Sequence, residues 1–126
     1  MNIMKAHDLQ AAVKAPASWM SEGEDASFWI LESFNKRSVW AGRYSGQSPW
    51  ERHLDGDELL YVIEGEAVIT LMTDGGPVET TLHAASVFVV PKGLWHRVLA
   101  HQVVIQFGAT PGRTDHSTDN DPRENL

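Results

Sequence analysis

From Ser27 onward, short runs of β-branched and aromatic residues alternate with clusters of turn formers. SFWILES (27–33) and SVWAGRY (38–44) flank FNKR, which predicts a hairpin. ELLYVIEG (58–65) and EAVITLM (66–72) follow, joined across Glu64-Gly65-Glu66. TDGGP (73–77) is a turn signal because glycine takes positive φ without steric cost. VETTLH (78–83), SVFVV (86–90), LWHRVLA (94–100) and VVIQF (103–107) complete the series. Many short strands at near-regular spacing, with almost no helix between them, predict an all-β sandwich or barrel, and an antiparallel barrel is favoured.

The ends of the chain break this pattern. Asp8 can cap a short helix from Leu9 to Lys14, which Pro16 limits. Residues 1–26 are expected to form an N-terminal extension packed on the barrel or on a dimer partner, and 27–107 the barrel itself. Residues 108–126 are polar, contain Pro and Gly, and are nearly devoid of apolar side chains. Such a segment buries too little to offset its ordering entropy, so a loose tail is expected.

Composition narrows the functional classes. With 126 residues, 42% hydrophobic and 21% charged, the chain suits one globular domain with a real core. A net charge of −7 argues against nucleic acid, whose partners carry basic patches, and against an anionic membrane surface. There is no cysteine, hence no disulfide framework, thiolate site or cysteine nucleophile. The opening MNIMKAHDLQ lacks the apolar core of a signal peptide, and the apolar runs are too short to span a bilayer. A cytoplasmic protein is the expectation.

The candidate chemistry lies in PWERHLDGDELLYVIEG (49–65). Glu51 and His53, two apart, share a face if the segment is extended. LDGD then bends the chain, and Glu58 opens the next strand. In VVPKGLWHRV (89–98), Pro91 suits the second and Gly93 the fourth position of a type I turn, which delivers His96 into a strand. The same alternation sends Trp50 and Trp95 to the opposite side from Glu51 and His96. It also leaves Leu59, Tyr61 and Ile63 on the outer face, needing a cover: the N-terminal segment with Trp19, Phe28 and Trp29, or a second subunit. A tryptophan cage around a substrate is disfavoured on this parity, although Trp40 and Phe88 can reach the interior.

These two stretches, about thirty residues apart, resemble the motifs of the cupin superfamily, roughly G-x5-H-x-H-x3–4-E-x6-G and G-x5-P-x-G-x2-H-x3-N. His53, Glu58 and Gly65 match the second histidine, the glutamate and the closing glycine of the first motif; Pro91, Gly93 and His96 match the second. Glu51 stands where the first histidine would be, Ala85 and Ala100 replace the second motif's opening glycine and final asparagine, and Gly46 is one residue off. The resemblance implies a double-stranded β-helix (jelly-roll) barrel, commonly dimeric, holding one divalent metal.

Imidazole and carboxylate donors on rigid strands suit such a cation. His53, Glu58 and His96 form a set fitting iron, manganese, nickel or zinc, with Glu51 as fourth ligand or as a base beside the metal. The competing readings are a solvated acidic rim and histidines merely hydrogen-bonded in a barrel. His7, His83 and His101 receive no role, and His116 is expected in solvent. Three functions remain open: an enzyme on a small organic substrate, with oxygenase ranked above isomerase or lyase by family analogy; a non-catalytic small-molecule-binding or sensory module; and a metal-free structural protein. A homodimer with a small ligand in each barrel is the expected assembly.

Overall fold

A computed structural model describes residues 5–21 and 25–125. Among them are a short helix, α1 (Leu9–Ala12), and ten strands: β1 (Trp19–Met20), β2 (Ala26–Phe34), β3 (Arg37–Gln47), β4 (Trp50–His53), β5 (Glu58–Glu64), β6 (Ala67–Thr73), β7 (Gly76–Leu82), β8 (Val87–Val90), β9 (His96–Pro111) and β10 (Thr114–Ser117). A 3-10 turn at Pro122–Asn125 follows.

The pairings are antiparallel, and β9 organises them. Residues 96–100 of β9 pair with β4, with β6 and with the end of β3; residues 104–111 pair with the rest of β3 and with β5. One sheet therefore runs β1-β2-β3-β9-β5-β8 and the other β7-β6-β9-β4-β10. Two sheets sharing a long strand and closing on one core make the all-β barrel that the pattern predicts. Leu60, Val62, Ile69, Leu71, Val90 and Val104 fill it, with Tyr44 among them. In β5 the alternation is clean, with Glu58, Leu60 and Val62 buried and the residues between them half-buried.

Local chemistry explains the corners. Asn35 and Lys36 both take positive φ (50° and 64°), the primed-turn geometry whose twist matches that of paired strands. Gly65 has φ 88°, and a Cβ there would stand 2.8 Å from the Val103 carbonyl oxygen, so β5 and β6 can join only through glycine. Asp8 caps α1, accepting from the Ala11 amide at 3.1 Å, but the helix ends at Ala12, two residues short of Lys14.

Three expectations change. LWHRVLA and VVIQF are not separate strands; β9 runs unbroken through His101 and Gln102. The turn before His96 starts at Pro91, since the Leu94 amide bonds the Pro91 carbonyl at 3.2 Å; Gly93 is its third residue, with φ 77°, as in a type II turn. The barrel does not stop at 107, and the segment from 108 is built into it: β9 extends to Pro111 and β10 pairs with β4, Thr114 opposite His53 and Ser117 opposite Trp50. Apolar content missed this because the open edge of β4 is closed by backbone hydrogen bonds. Arg52 adds an ion pair to Asp115 at 2.9 Å, Asp55 accepts from the Arg113 amide at 3.0 Å, and Pro122 is fully buried.

Much of the N-terminal extension also packs on the barrel. Val13 joins Trp29 and Ala41 in a second cluster, and the Trp29 indole donates to the Ala15 carbonyl at 2.8 Å. Residues 1–4 and 22–24 of that extension lie outside the described residues. No helix among the described residues is long and apolar enough to cross a membrane.

Candidate metal centre

The site forms where β4 meets the start of β9. Glu51 lies directly opposite His96 in the antiparallel register, and His53 follows two residues on. Two bonds lock the Pro91 turn against β4 and β5: the Gly93 amide to the His53 carbonyl at 2.8 Å, and the Lys92 amide to Asp57 Oδ1 at 2.8 Å. Asp57 thus serves the turn, while its neighbour Glu58 faces the interior.

Glu51, His53 and His96 each offer a donor atom within 4.8 Å of the other two. Glu58 is outside that triangle but touches it: its Oε1 lies 3.3 Å from His53 Nε2 and 3.2 Å from His96 Nε2. His53, Glu58 and His96 are all buried, whereas Glu51 is half-buried and forms the open side of the cluster. His96 Nδ1 donates to the Leu94 carbonyl at 3.0 Å. A carbonyl only accepts, so Nδ1 carries a ring proton and Nε2 is the atom that faces the cluster. His53 Nδ1 lies 3.0 Å from Thr114 Oγ1, and its buried Nε2 has no aligned hydrogen-bond partner.

Glu58 is held from behind. Its Oε2 accepts from Thr110 Oγ1 at 2.5 Å, and Thr110 Oγ1 accepts from the Trp40 indole at 2.8 Å. Burial by itself would raise the Glu58 carboxyl; the two imidazoles facing it outweigh that and hold it at about 2. Burial would lower His96, but the Glu58 carboxylate beside it wins and the imidazole is raised. Glu51 is raised, first by burial and then by the negative charge of Glu58. Two carboxylates with unlike proton affinities therefore share one pocket with two imidazoles.

The donor set fits a divalent transition metal. Both imidazoles aim Nε2 at one region beside Glu58 Oε1, and two carboxylates stand ready to balance the charge of a cation. The four residues singled out from sequence are thus neighbours. Trp40 and Phe88 pack against the barrel core. Sequence reasoning missed Thr110 and Thr114; His116 is exposed, as expected, yet its Nε2 lies 3.6 Å from Glu51 Oε1. The only available signal was the two-residue spacing of Thr114 and His116, which a wholly polar segment does not make conspicuous.

Residues 43–104 match the cupin domain family. The uncharacterized protein YdbB of Bacillus subtilis (strain 168) is 36% identical over 77 residues, 60% of this chain, and the match spans 64% of that protein's own length. A cupin-2 domain containing protein from Shewanella frigidimarina superposes with a TM-score of 0.60 at 27% identity, covering 68% of this chain and 80% of that one. Oxalate decarboxylase of Bacillus subtilis, studied for its Mn(II) centres, superposes with a TM-score of 0.67 at 17% identity, over 83% of this chain and 30% of its own. At that identity the likeness is one of fold. The matched motifs, the barrel and these neighbours place the chain in the cupin superfamily.

Proposed function

We propose that this cupin binds one divalent transition metal through Glu51, His53, Glu58 and His96, and acts as an enzyme on a small oxygen-bearing organic substrate. The observation that carries the reading is the convergence of Glu51, His53 and His96 within 4.8 Å, with Glu58 Oε1 3.3 Å and 3.2 Å from the two imidazole Nε2 atoms. Once bound, the metal would polarise a substrate oxygen or support oxygen chemistry. The protein's own residues divide the remaining work. His53 and His96 point Nε2 inward, and Thr110 fixes Glu58. Glu51, on the open side with its proton affinity raised, stands where it can take a proton from a substrate or complete the ligand set. The manganese of the oxalate decarboxylase and the fold shared with it support this reading by analogy.

We also propose a homodimer formed through the outer face of β5 and β8, where Val87 and Val89 stand exposed. The absence of cysteine suits a reducing cytoplasm, where we place the protein.

Metal analysis of the purified protein tests the central claim. Near-stoichiometric manganese, iron, nickel or zinc is expected, lost from His96→Ala and retained by folded Trp95→Ala. Equal loss in both variants, or a wild-type protein free of metal, sinks the reading. Activity follows from a substrate panel read by oxygen uptake or product formation. Turnover that survives complete chelation of the metal would count against the enzyme assignment.

A further inference from the structure

The matched cupin region ends at residue 104, yet three side chains beyond it reach the site: Thr110 of β9, and Thr114 and His116 of β10. Thr114 lies opposite His53, and His116 opposite Glu51, in the register of β10 on β4. Strand alternation then turns Thr114 and His116 to the face that carries His53 and Glu51, while Asp115 turns to the other and pairs with Arg52. We propose that β10 is the outer wall of the metal site, with Thr114 and His116 as positioning residues that hold His53 and Glu51 in the pose their donor atoms need. This inference rests on the metal reading above.

The two imidazoles show why such a wall is needed. A histidine that ligates through Nε2 must keep its proton on Nδ1, and the partner of that proton sets the tilt of the ring. For His96 the partner is the Leu94 carbonyl, two residues away on the same turn, so ring and partner come as one local unit. For His53 no backbone carbonyl takes that place. Its Nδ1 meets the Thr114 hydroxyl at 3.0 Å, from a strand that arrives sixty-one residues later. A hydroxyl oxygen accepts as well as donates, so it can accept a hydrogen bond from Nδ1–H, which leaves Nε2 available as a donor atom for the metal. That Nε2 lies 3.3 Å from Glu58 Oε1 without an aligned hydrogen bond.

His116 does the matching work for Glu51. Its Nε2 stands 3.6 Å from Glu51 Oε1, an electrostatic contact longer than a hydrogen bond. Among the described residues, Glu51 has no hydrogen-bonded support comparable to the Thr110 clamp on Glu58, and it carries the same sign of charge as Glu58 in a shared pocket. A nitrogen-bearing ring at the outer edge offers Glu51 a partner that offsets this repulsion. Thus each of the ligands on β4 has its companion on β10, and the ligands on β5 and β9 have theirs elsewhere in the barrel.

The test compares Thr114→Val, which keeps the β-branched shape and deletes the hydroxyl, with Thr114→Ser, which restores it, and with His116→Gln. Each variant is titrated with Mn(II) against a competing chelator, the electron paramagnetic resonance spectrum of the bound ion is recorded, and urea unfolding of the metal-free protein monitors the fold. Thr114→Val should bind Mn(II) about 10- to 100-fold more weakly and with an altered spectrum. Thr114→Ser should recover most of that loss. His116→Gln should change the spectrum while leaving metal-free unfolding in place.

A Thr114→Val protein with wild-type affinity and spectrum overturns the proposal, as does a loss that serine fails to recover. If Thr114→Val does not fold, His116→Gln decides alone, because its half-exposed ring can be replaced without opening the core; an unchanged spectrum then overturns the proposal. A wild-type protein that takes up no Mn(II), Fe(II), Ni(II) or Zn(II) is a different failure, that of the metal reading itself.

Discussion

The two sheets of this barrel present apolar residues outward in the same way and meet different fates. On the sheet that carries the metal site, Trp50, Met72 and Trp95 form a cluster on the side away from Glu51 and His96, yet Trp50 is only 2% exposed. Arg97 lies over the Trp50 ring at 4.4 Å and Arg52 over the Trp95 ring at 4.7 Å, while Trp95 and Pro122 line one recess under the C-terminal segment. On the other sheet, Val87 and Val89 are 62% and 52% exposed, and a groove of about 520 Å³ runs past Phe34, Leu59, Val89 and Phe107. Among the described residues, the N-terminal extension packs on the neighbouring part of that sheet, around Trp29 and Ala41, and its His7 reaches the edge of the groove. Alternation determines which way a side chain points; what lies over it depends on where the rest of the chain goes.

The covered face should be the costlier one to disturb. Trp50→Ala removes a fully buried indole and its stacked arginine, so a loss of about 3–5 kcal/mol is expected in urea unfolding of the metal-free protein. The folded fraction should still bind metal, because Trp50 faces away from the ligands. Wild-type stability with missing metal would reverse the inside and outside of β4.

The open face should respond in assembly instead of in fold. Val89→Lys adds a charge where the proposed second copy packs and disturbs nothing within the protomer. We expect sedimentation to move from dimer to monomer, with metal content unchanged and monomer stability shifted by no more than about 0.5 kcal/mol, as for an ordinary surface change. A wild-type protein that sediments as a monomer would show that this face is left bare, and the comparison between the two faces would then lose one of its terms.

Much of this was legible in the residues and some was not, and the line between them is physical. The strand runs, the glycine at 65 and the placing of Glu51 and His53 on one face all follow from local rules of φ and alternation. Glu58 and His96 were legible because their turns carry their own signals, Gly65 after one and Pro91 with Gly93 before the other. The C-terminal strand was not. Thr114–Ser117 offers no apolar face, and its stability comes from the unpaired edge of β4, which lies more than sixty residues earlier. The cover over Trp50 and Trp95 escaped for the same reason: a buried Pro122 in a polar segment leaves no periodic trace.

Between the two faces runs the crossover from β7 to β8, and it carries the smallest expected effect. Ala85 stands there with φ 65°, a left-handed conformation, at the position where the cupin pattern has glycine. Its amide bonds the Val62 carbonyl at 2.8 Å and the Ser86 amide bonds the His83 carbonyl at 3.0 Å, so the crossover holds that geometry firmly. A Cβ in this region costs about 1–2 kcal/mol. Glycine removes the clash and loses more backbone entropy on folding, roughly 0.5–1 kcal/mol, so the two effects oppose. Ala85 is exposed, and its methyl group contributes little packing to set against the change. Ala85→Gly should therefore stabilise the protein by about 0.5–1 kcal/mol, read as a higher urea midpoint at unchanged slope and unchanged metal content. A lower midpoint would mean that the turn relaxes around the methyl group, and that the family's glycine at this position serves something other than the conformation of the crossover.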